Sequence, residues 1–412
     1  MGGGPAGAIA AIELRKNDNL NKITIISKEN HEYYKRSKII NLISGSCSED
    51  DLYLEGKEVY EELNIDFIFD IVQEVNPHKN QVLLSNNSVI QYDSLLIATG
   101  GSPIVLPWNG ADLKGISTLY TLDDAIEVAE LICNVKNAVI IGGGAIAMKV
   151  INNFLKIGLN TTIIEKASHL WPIGFDRKMA RIIESKIKQK GIEIYLNEEV
   201  LEFKGTNGKL TSVLLKSGKE LPADLAIITI GMKPNISFLE NSDIDIDKGV
   251  LVNEYLQTNV PNIFAVGDVA QISDPLYEYP ILHPTLGNAK RQAKIAALNM
   301  MGKKIKYDGT IPLQTIKIFG FNAIAGGITH SKKNYDEIAW ISFNKGICRK
   351  FVLKHNKLIG VLLLGKDIDK KKLKPLIKYA ISNMIDIEVH KTRILSDDIN
   401  SIFDFIENGM NS

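Results

Sequence analysis

The sequence predicts an α/β chain with two Rossmann-like dinucleotide units, each a glycine turn leading into a helix, the first without its leading strand, followed by a smaller α+β region. Three observations carry this. Residues 138–141 form a β-branched apolar run, Gly142, Gly144 and Ala147 follow as G-x-G-x-x-A, and 150–157 continue at helical spacing to a stop at Gly158. A second fingerprint, Gly2, Gly4 and Gly7 in G-x-G-x-x-G, opens the chain before the helix-like 8–14. Beyond about residue 307 strand-like runs follow one another and two helical stretches close the chain. A glycine triplet alone also marks ordinary turns. Strand, turn, helix, second strand and terminal acid in that order form a specific dinucleotide-binding signal.

Each part of the signal has a physical task. The first glycine lets the chain turn tightly, the second lets a pyrophosphate approach the backbone, and a small third residue lets helix and strand pack closely. Free N–H groups at the helix start then face the phosphates.

The 412 residues suffice for two or three domains with separate cores. Lysine plus arginine balances aspartate plus glutamate, 48 against 48, so no global field points to nucleic acid or an acidic membrane. No apolar run has the length of a membrane span and the N-terminus lacks a secretory pattern, so a cytoplasmic location is the default expectation. Cys47, Cys133 and Cys348 are far apart, and the seven histidines are scattered without an H-x-x-x-H pair, which indicates neither a disulfide framework nor a metal centre.

In chain order, the strand that should precede the Gly2 fingerprint is absent, and 23–26 is the next strand. Ser27-Lys28-Glu29 follows where a ribose-binding acid is expected, and Glu29 is the only carboxylate there; a plain surface charge is the other reading. Residues 66–68, 81–84 and 95–98 read as strands, the last stopping abruptly at Thr99-Gly100. Pro103 and Pro107 stiffen a connection, which places a boundary near 108. Leu122-Asp123-Asp124 opens a helix with acids in its first turn. After the Gly142 fingerprint, 161–164 is a strand ended by Glu165, 177–190 an amphipathic helix, and 193–196, 213–215 and 225–229 are strands.

Past Gly231 the pattern changes. Residues 263–266 form a short apolar strand ending in Gly267-Asp268, and 288–301 an alanine-rich helix. Strands are expected at 315–319, 338–343, 349–353 and 358–364, and helices near 373–384 and 397–408.

With both fingerprints, the Thr99-Gly100 stop and Gly267-Asp268, the chain resembles the flavoprotein pyridine-nucleotide reductases, the two-dinucleotide-domain family that includes rubredoxin reductases, ferredoxin reductases and NADH oxidases. Tyr33-Tyr34-Lys35-Arg36, Gly231-Met232-Lys233-Pro234-Asn235 and Asn288-Ala289-Lys290-Arg291-Gln292-Ala293 strengthen the resemblance, which is close over residues 1–305.

The resemblance implies an FAD-binding domain split between 1–108 and 231–306, an inserted NAD(H)-binding domain at 109–230, and a C-terminal α+β domain at 307–412. Gly2, Gly4 and Gly7 would meet the FAD pyrophosphate, Glu29 the adenosine ribose, and Asp268, after Gly267, a ribitol hydroxyl. Thr99 and Gly100 would pass the flavin, Arg36 would join the same set, and the helix after Thr285-Leu286-Gly287 would aim its positive end at the flavin ring. Gly142, Gly144 and Ala147 would hold NAD(H), with Glu165 bonding its ribose hydroxyls and repelling the extra phosphate of NADPH; Lys166 beside it softens that choice.

Three departures stand out: Lys149, the missing first strand, and Ser27 with Lys28, at one of which relatives often carry an acid. Lys149 occupies a position where many relatives carry glutamate, although a solvated helix lysine explains it equally. The position of a single redox cysteine falls at or near Ser37, and Cys47 comes later, so no redox thiol and no catalytic side chain is assigned.

The implied activity is electron transfer from NADH through FAD to a carrier such as rubredoxin or ferredoxin. The alternatives are an oxidase that uses oxygen and an eroded member acting inside a complex. Lys366, Lys370, Lys371, Lys372, Lys374 and Lys378 could dock an acidic carrier or form a solvated helix face. Tyr33, Tyr34 and Trp340 suit packing better than a flavin edge.

Overall fold

The computed structural model describes residues 1–53, 59–274, 276–330, 334–387, 403–404 and 406–407. The chain divides into two compact units. One comprises Met1–Ile39, Cys47–Ser102 and Met232–Thr310, the other Ile40–Ser46, Pro103–Gly231 and Ile311–Ser412.

In the first unit, Ile23–Ser27 pairs in parallel with Ile65–Phe69, and Leu95–Ile97 pairs in parallel with Ile263–Ala265. The strand position between these pairs is held by Met1 and Gly2. Met1 N donates to Leu96 O at 2.7 Å, Ala98 N to Met1 O at 2.8 Å and Gly2 N to Ile26 O at 2.7 Å. Two residues therefore join what are otherwise separate two-stranded ladders. The helix Pro5–Asn17 follows, with proline in its first turn, where the missing N–H costs nothing. Its far end is tied down by buried Arg15, which donates to the carbonyls of Leu63, Asp18 and Asn64 at 2.8–2.9 Å. A meander of Val72–Asn76, Gln81–Leu84 and Val89–Gln91 precedes Leu95–Ile97. The helix Leu286–Met300 buries Ala289, Ala293, Ala296 and Ala297 in the same apolar cluster as Ala6 and Ala10, and small residues let the two helices approach closely.

The second unit repeats this plan. Its parallel sheet runs Glu193–Leu196, Asn160–Glu165, Asn137–Ile141, Leu225–Ile228, Ile116–Ser117, with Asn137–Ile141 in the place of Met1 and Gly2. The helix Ala145–Lys156 corresponds to Pro5–Asn17, and a meander of Val200–Thr206, Lys209–Leu215 and Glu220–Pro222 again precedes the fourth strand. Both sheets are buried by their apolar residues, as parallel strands require.

The same unit carries an antiparallel sheet ordered Leu313–Ile318, Phe321–Gly327, Lys357–Gly365, Ile347–Lys354, Asp336–Ser342, and the helix Lys370–Ser382. That helix buries Leu373, Leu376, Ile377, Ala380 and Ile381. Phe321–Gly327 was not among the expected strands, because its alanines and glycines carry little β-propensity. The helix expected over 397–408 lies outside the described residues except at 403–404 and 406–407. Among the described residues no helix is long and apolar enough to cross a membrane.

Candidate functional site

Each parallel sheet ends in a glycine cradle, and the two cradles are built alike. Gly2 and Gly142 sit at φ of +107° and +96°, where a side chain is strained. A Cβ on Gly2 would stand 2.2 Å from Ala98 O, and one on Gly142 would stand 2.6 Å from Thr229 O. Gly4 and Gly144 are the N-caps of Pro5–Asn17 and Ala145–Lys156; neither supplies a capping side chain, and around either a Cβ would meet nothing within 4 Å. The first-turn N–H groups therefore face open space at the positive end of each helix, the chemistry that holds a pyrophosphate. In the third position a Cβ on Gly7 would lie 2.0 Å from Gly2 O, whereas Ala147 fits fully buried.

The two units also match in register. Gly2 N bonds Ile26 O, and Gly142 N bonds Ile164 O at 2.8 Å, so Ser27 and Glu165 are structural counterparts at their strand ends. Glu165 accepts the Gly143 N–H at 2.6 Å and the Ala167 N–H at 2.7 Å, which fixes its carboxylate beside the middle glycine. Two bonds leave acceptor capacity for ribose hydroxyls. Ser27 faces Gly3 in the same way, with its Oγ 2.8 Å from where a Gly3 Cβ would be.

Glu29 stands two residues beyond that position. It receives Arg36 Nη2 at 2.6 Å and the Tyr34 hydroxyl at 2.5 Å, and the Arg36 guanidinium lies 5.1 Å from the centre of the Tyr34 ring. Arg36 also reaches Asp268 electrostatically. The structure thus links Glu29, Arg36 and Asp268. Burial pushes the Asp268 carboxyl up, and Arg36 opposes this in part.

Gly267 N donates to Gln292 Oε1 at 2.7 Å, and a Cβ on Gly267 would lie 3.2 Å from Ala6 Cβ, so the Gly-Asp turn is pinned between the two helices of the unit. Gln292 is fully buried, and a lone glutamine on an alanine-rich helix carries no sequence signal of this role. Asn235 is a second addition. Its Nδ2 donates to Thr99 O at 2.9 Å, its N to Gly100 O at 3.0 Å, and Thr99 Oγ1 donates to Asn235 O at 3.0 Å. This clamp fixes the Thr99-Gly100 passage. Thr285 caps Leu286–Met300 by accepting the Asn288 N–H at 3.3 Å.

Tyr33 packs in an apolar cluster with Tyr60, Ile25 and Ile65. Burial, with Asp51 nearby, pushes the Cys47 thiol up, away from a nucleophilic thiolate. Lys149 is exposed as a residue, yet surrounding protein desolvates its ammonium and lowers its pKa, and no described carboxylate pairs with it. No group of metal-ligating side chains occurs among the described residues.

The sequence profile of the pyridine nucleotide-disulphide oxidoreductases matches residues 1–314. The chain is 29% identical over 404 residues to the assimilatory nitrate reductase electron transfer subunit of Bacillus subtilis, covering 96% of this chain and 50% of that protein. It therefore spans about half the length of that relative. It is 28% identical to the NADH-rubredoxin oxidoreductase of Clostridium acetobutylicum, covering 89% of this chain and 90% of that protein. The crystal structure of NADH:rubredoxin oxidoreductase from Clostridium acetobutylicum superposes with a TM-score of 0.80 at 25% identity, covering 98% of this chain and 97% of that one.

Proposed function

The chain belongs to the pyridine nucleotide-disulphide oxidoreductases, and from that premise we propose that it is an FAD-dependent NADH oxidoreductase that delivers electrons to a carrier protein such as rubredoxin or ferredoxin without a redox cysteine. The observation that carries this reading is the pair of matching cradles, each with an uncapped helix N-terminus and a glycine opening onto free space. Relatives named as an NADH-rubredoxin oxidoreductase and a rubredoxin-NAD(+) reductase support the choice of acceptor. Three free cysteines and a nicotinamide donor suit the cytoplasm.

Bound FAD supplies the group that accepts two electrons from NADH and passes them on singly or as a pair. The chain's residues supply position and electrostatics. Gly2, Gly4 and Gly7 with the start of Pro5–Asn17 hold the FAD pyrophosphate, and Glu29, braced by Arg36, takes the adenosine ribose. Asp268 accepts a bond from the ribitol chain, and Thr99 and Gly100, clamped by Asn235, border the flavin. Gly142, Gly144 and Ala147 hold the pyrophosphate of NADH, and Glu165, oriented by two backbone N–H groups, takes its ribose hydroxyls. The same carboxylate repels the 2′-phosphate of NADPH.

The purified protein is expected to be yellow and to bleach under anaerobic conditions on addition of NADH, faster than with NADPH in stopped-flow absorbance. Colourless protein that stays inert after FAD is added would overturn the reading in favour of an eroded member. Rapid oxygen consumption without a carrier would shift the acceptor to oxygen.

Asp268 gives a separate expectation. Its carboxyl is raised by burial, so the folded state holds a proton that the unfolded state releases, in the pH window just above the ordinary carboxylate value of 3.8. Stability from this group therefore falls as pH rises through that window, and at neutral pH the buried charge is a net cost. Asp268→Asn is expected to raise the melting temperature of flavin-free protein at neutral pH, with the gain vanishing on acidification. The same change should weaken FAD binding roughly tenfold by removing a charged acceptor. A lower neutral melting temperature together with unchanged FAD affinity would contradict both halves.

A further inference from the structure

The chain has no net charge, 48 cationic against 48 anionic side chains, so a local excess of one sign reflects placement. Such an excess lies on the antiparallel sheet of the second unit. Phe321 and Ile318 are opposite one another in register, as are Lys317 and Asn322, and Asn322 and Gly365. Asn322 Nδ2 donates to Ile368 O at 2.8 Å, which folds the turn carrying Lys366 back against Lys317's partner. The Nζ atoms of Lys186, from the helix Arg177–Lys188, and of Lys366 lie 5.9 and 5.5 Å from the centre of the same Phe321 ring. Lys370, at the start of the next helix, is desolvated and feels the positive charges of Lys374 and Lys317. Lys186 and Lys366 thus flank Phe321, Lys317 lies in the strand paired with Phe321–Gly327, and Lys370 lies within electrostatic reach of both Lys317 and Lys374.

The nearby acids are already committed. Asp367 pairs with buried Arg349, and Asp369 caps the helix Lys370–Ser382 by accepting the Lys371 and Lys372 N–H groups. No described carboxylate forms an ion pair with Lys186, Lys317, Lys366, Lys370 or Lys374. Lys372, by contrast, pairs with Asp404 and Glu407 at 3.5 and 3.4 Å and belongs to a different face. Among the described residues these lysines have no carboxylate counter-ion; like charges gathered in this way oppose folding, and an acidic partner surface would offset them.

We propose that Lys186, Lys317, Lys366, Lys370 and Lys374 form the docking surface for the acidic face of the electron-accepting carrier protein. The inference rests on the proposed function for the identity of the partner. Docking of this kind acts mainly through encounter rate and is weakened by salt, because exposed charges are screened beyond about 8–10 Å at physiological ionic strength.

The test compares the wild-type holoenzyme with Lys366→Glu/Lys370→Glu and with Lys209→Glu, an exposed lysine at the start of the strand Lys209–Leu215, outside the cluster. The carriers are an acidic rubredoxin and an acidic ferredoxin, and ferricyanide serves as a small acceptor. The double variant is expected to raise the KM for the carrier roughly tenfold, with a flatter salt dependence. Its maximal rate, FAD content and ferricyanide reduction should remain those of the wild type, and Lys209→Glu should change little.

An unchanged carrier KM in the double variant would overturn the proposal. So would loss of heparin binding with the carrier KM preserved, since that would assign the patch to a polyanion. Failure of the wild type to reduce ferricyanide with NADH would strike the proposed function instead. Carrier binding measured by calorimetric titration would then still judge the surface, and binding that is equal in wild type and double variant, or absent from both, would reject it.

Discussion

Gly4→Ala is expected to give a folded protein that no longer retains FAD, and Gly144→Ala a yellow protein that no longer responds to NADH. The cross pattern follows from what surrounds each glycine. Gly4 has φ −73° and Gly144 −77°, values that alanine adopts freely, and an added Cβ at either would touch nothing within 4 Å. The protein itself therefore has no steric objection. Loss of a glycine at a helix N-cap should cost no more than about 1 kcal/mol. A ligand phosphate lying against the first-turn N–H groups would meet the new methyl directly and be pushed away from those donors. Each charge-assisted bond forfeited is worth roughly 1.5–3 kcal/mol, so losing one weakens binding about 10- to 150-fold and losing two weakens it further. FAD fluorescence quenching on reconstitution measures the first effect, and titration of the flavin-loaded protein with NADH the second. Wild-type affinity for both nucleotides in both variants would show that the cradles hold neither.

How much of this was legible in the sequence depends on how local each requirement is. The glycine turns were legible because their demands lie within a few residues. Gly2 and Gly142 need positive φ and a bare Cα against a neighbouring carbonyl, and only glycine satisfies both. Glu165 was legible for the same reason, as the last residue of a β-branched run.

The Ser27 correspondence was legible only in part, as one of two positions where relatives often carry an acid. It depends on Gly2 N meeting Ile26 O, and the loops and helices between fingerprint and second strand differ in length in the two units. Asn235 reaches Thr99 across 136 residues, and no short motif encodes such a pairing. The lysine run at 366–378 was visible as a block of charge but not as two faces. Helical spacing sets Lys370 with Lys374, one turn apart, and turns Lys372 towards Asp404 and Glu407. Lys186 and Lys317 joined the first group only through the fold. The strand Phe321–Gly327 shows the opposite failure, since weak propensity hid an element that its neighbours on both sides determine.

Gly7→Ala should have the second large effect, and it separates the two fingerprints from each other. Both carry a small residue at the third position, glycine in one and alanine in the other, and sequence alone treats them as interchangeable. The structure does not. A Cβ on Gly7 would stand 2.0 Å from Gly2 O, a backbone atom locked by the Gly2 N to Ile26 O bond and by Ala98 at its other flank. Relief would require the helix Pro5–Asn17 to move off the strand position held by Met1 and Gly2. That would separate Ala6 from Gly267 and disturb the alanine packing against Leu286–Met300. Overpacking against fixed backbone costs roughly 1–3 kcal/mol or more, and here the loss falls on the surface that would hold the FAD pyrophosphate. Gly7→Ala is therefore expected to lower the melting temperature and release the flavin together. Ala147→Gly, at the matching place in the other unit, removes one methyl and should cost about 1 kcal/mol with NADH binding preserved. Thermal unfolding followed by flavin fluorescence checks the pair, and a Gly7→Ala protein as stable and as yellow as the wild type would refute the close approach on which the first cradle depends.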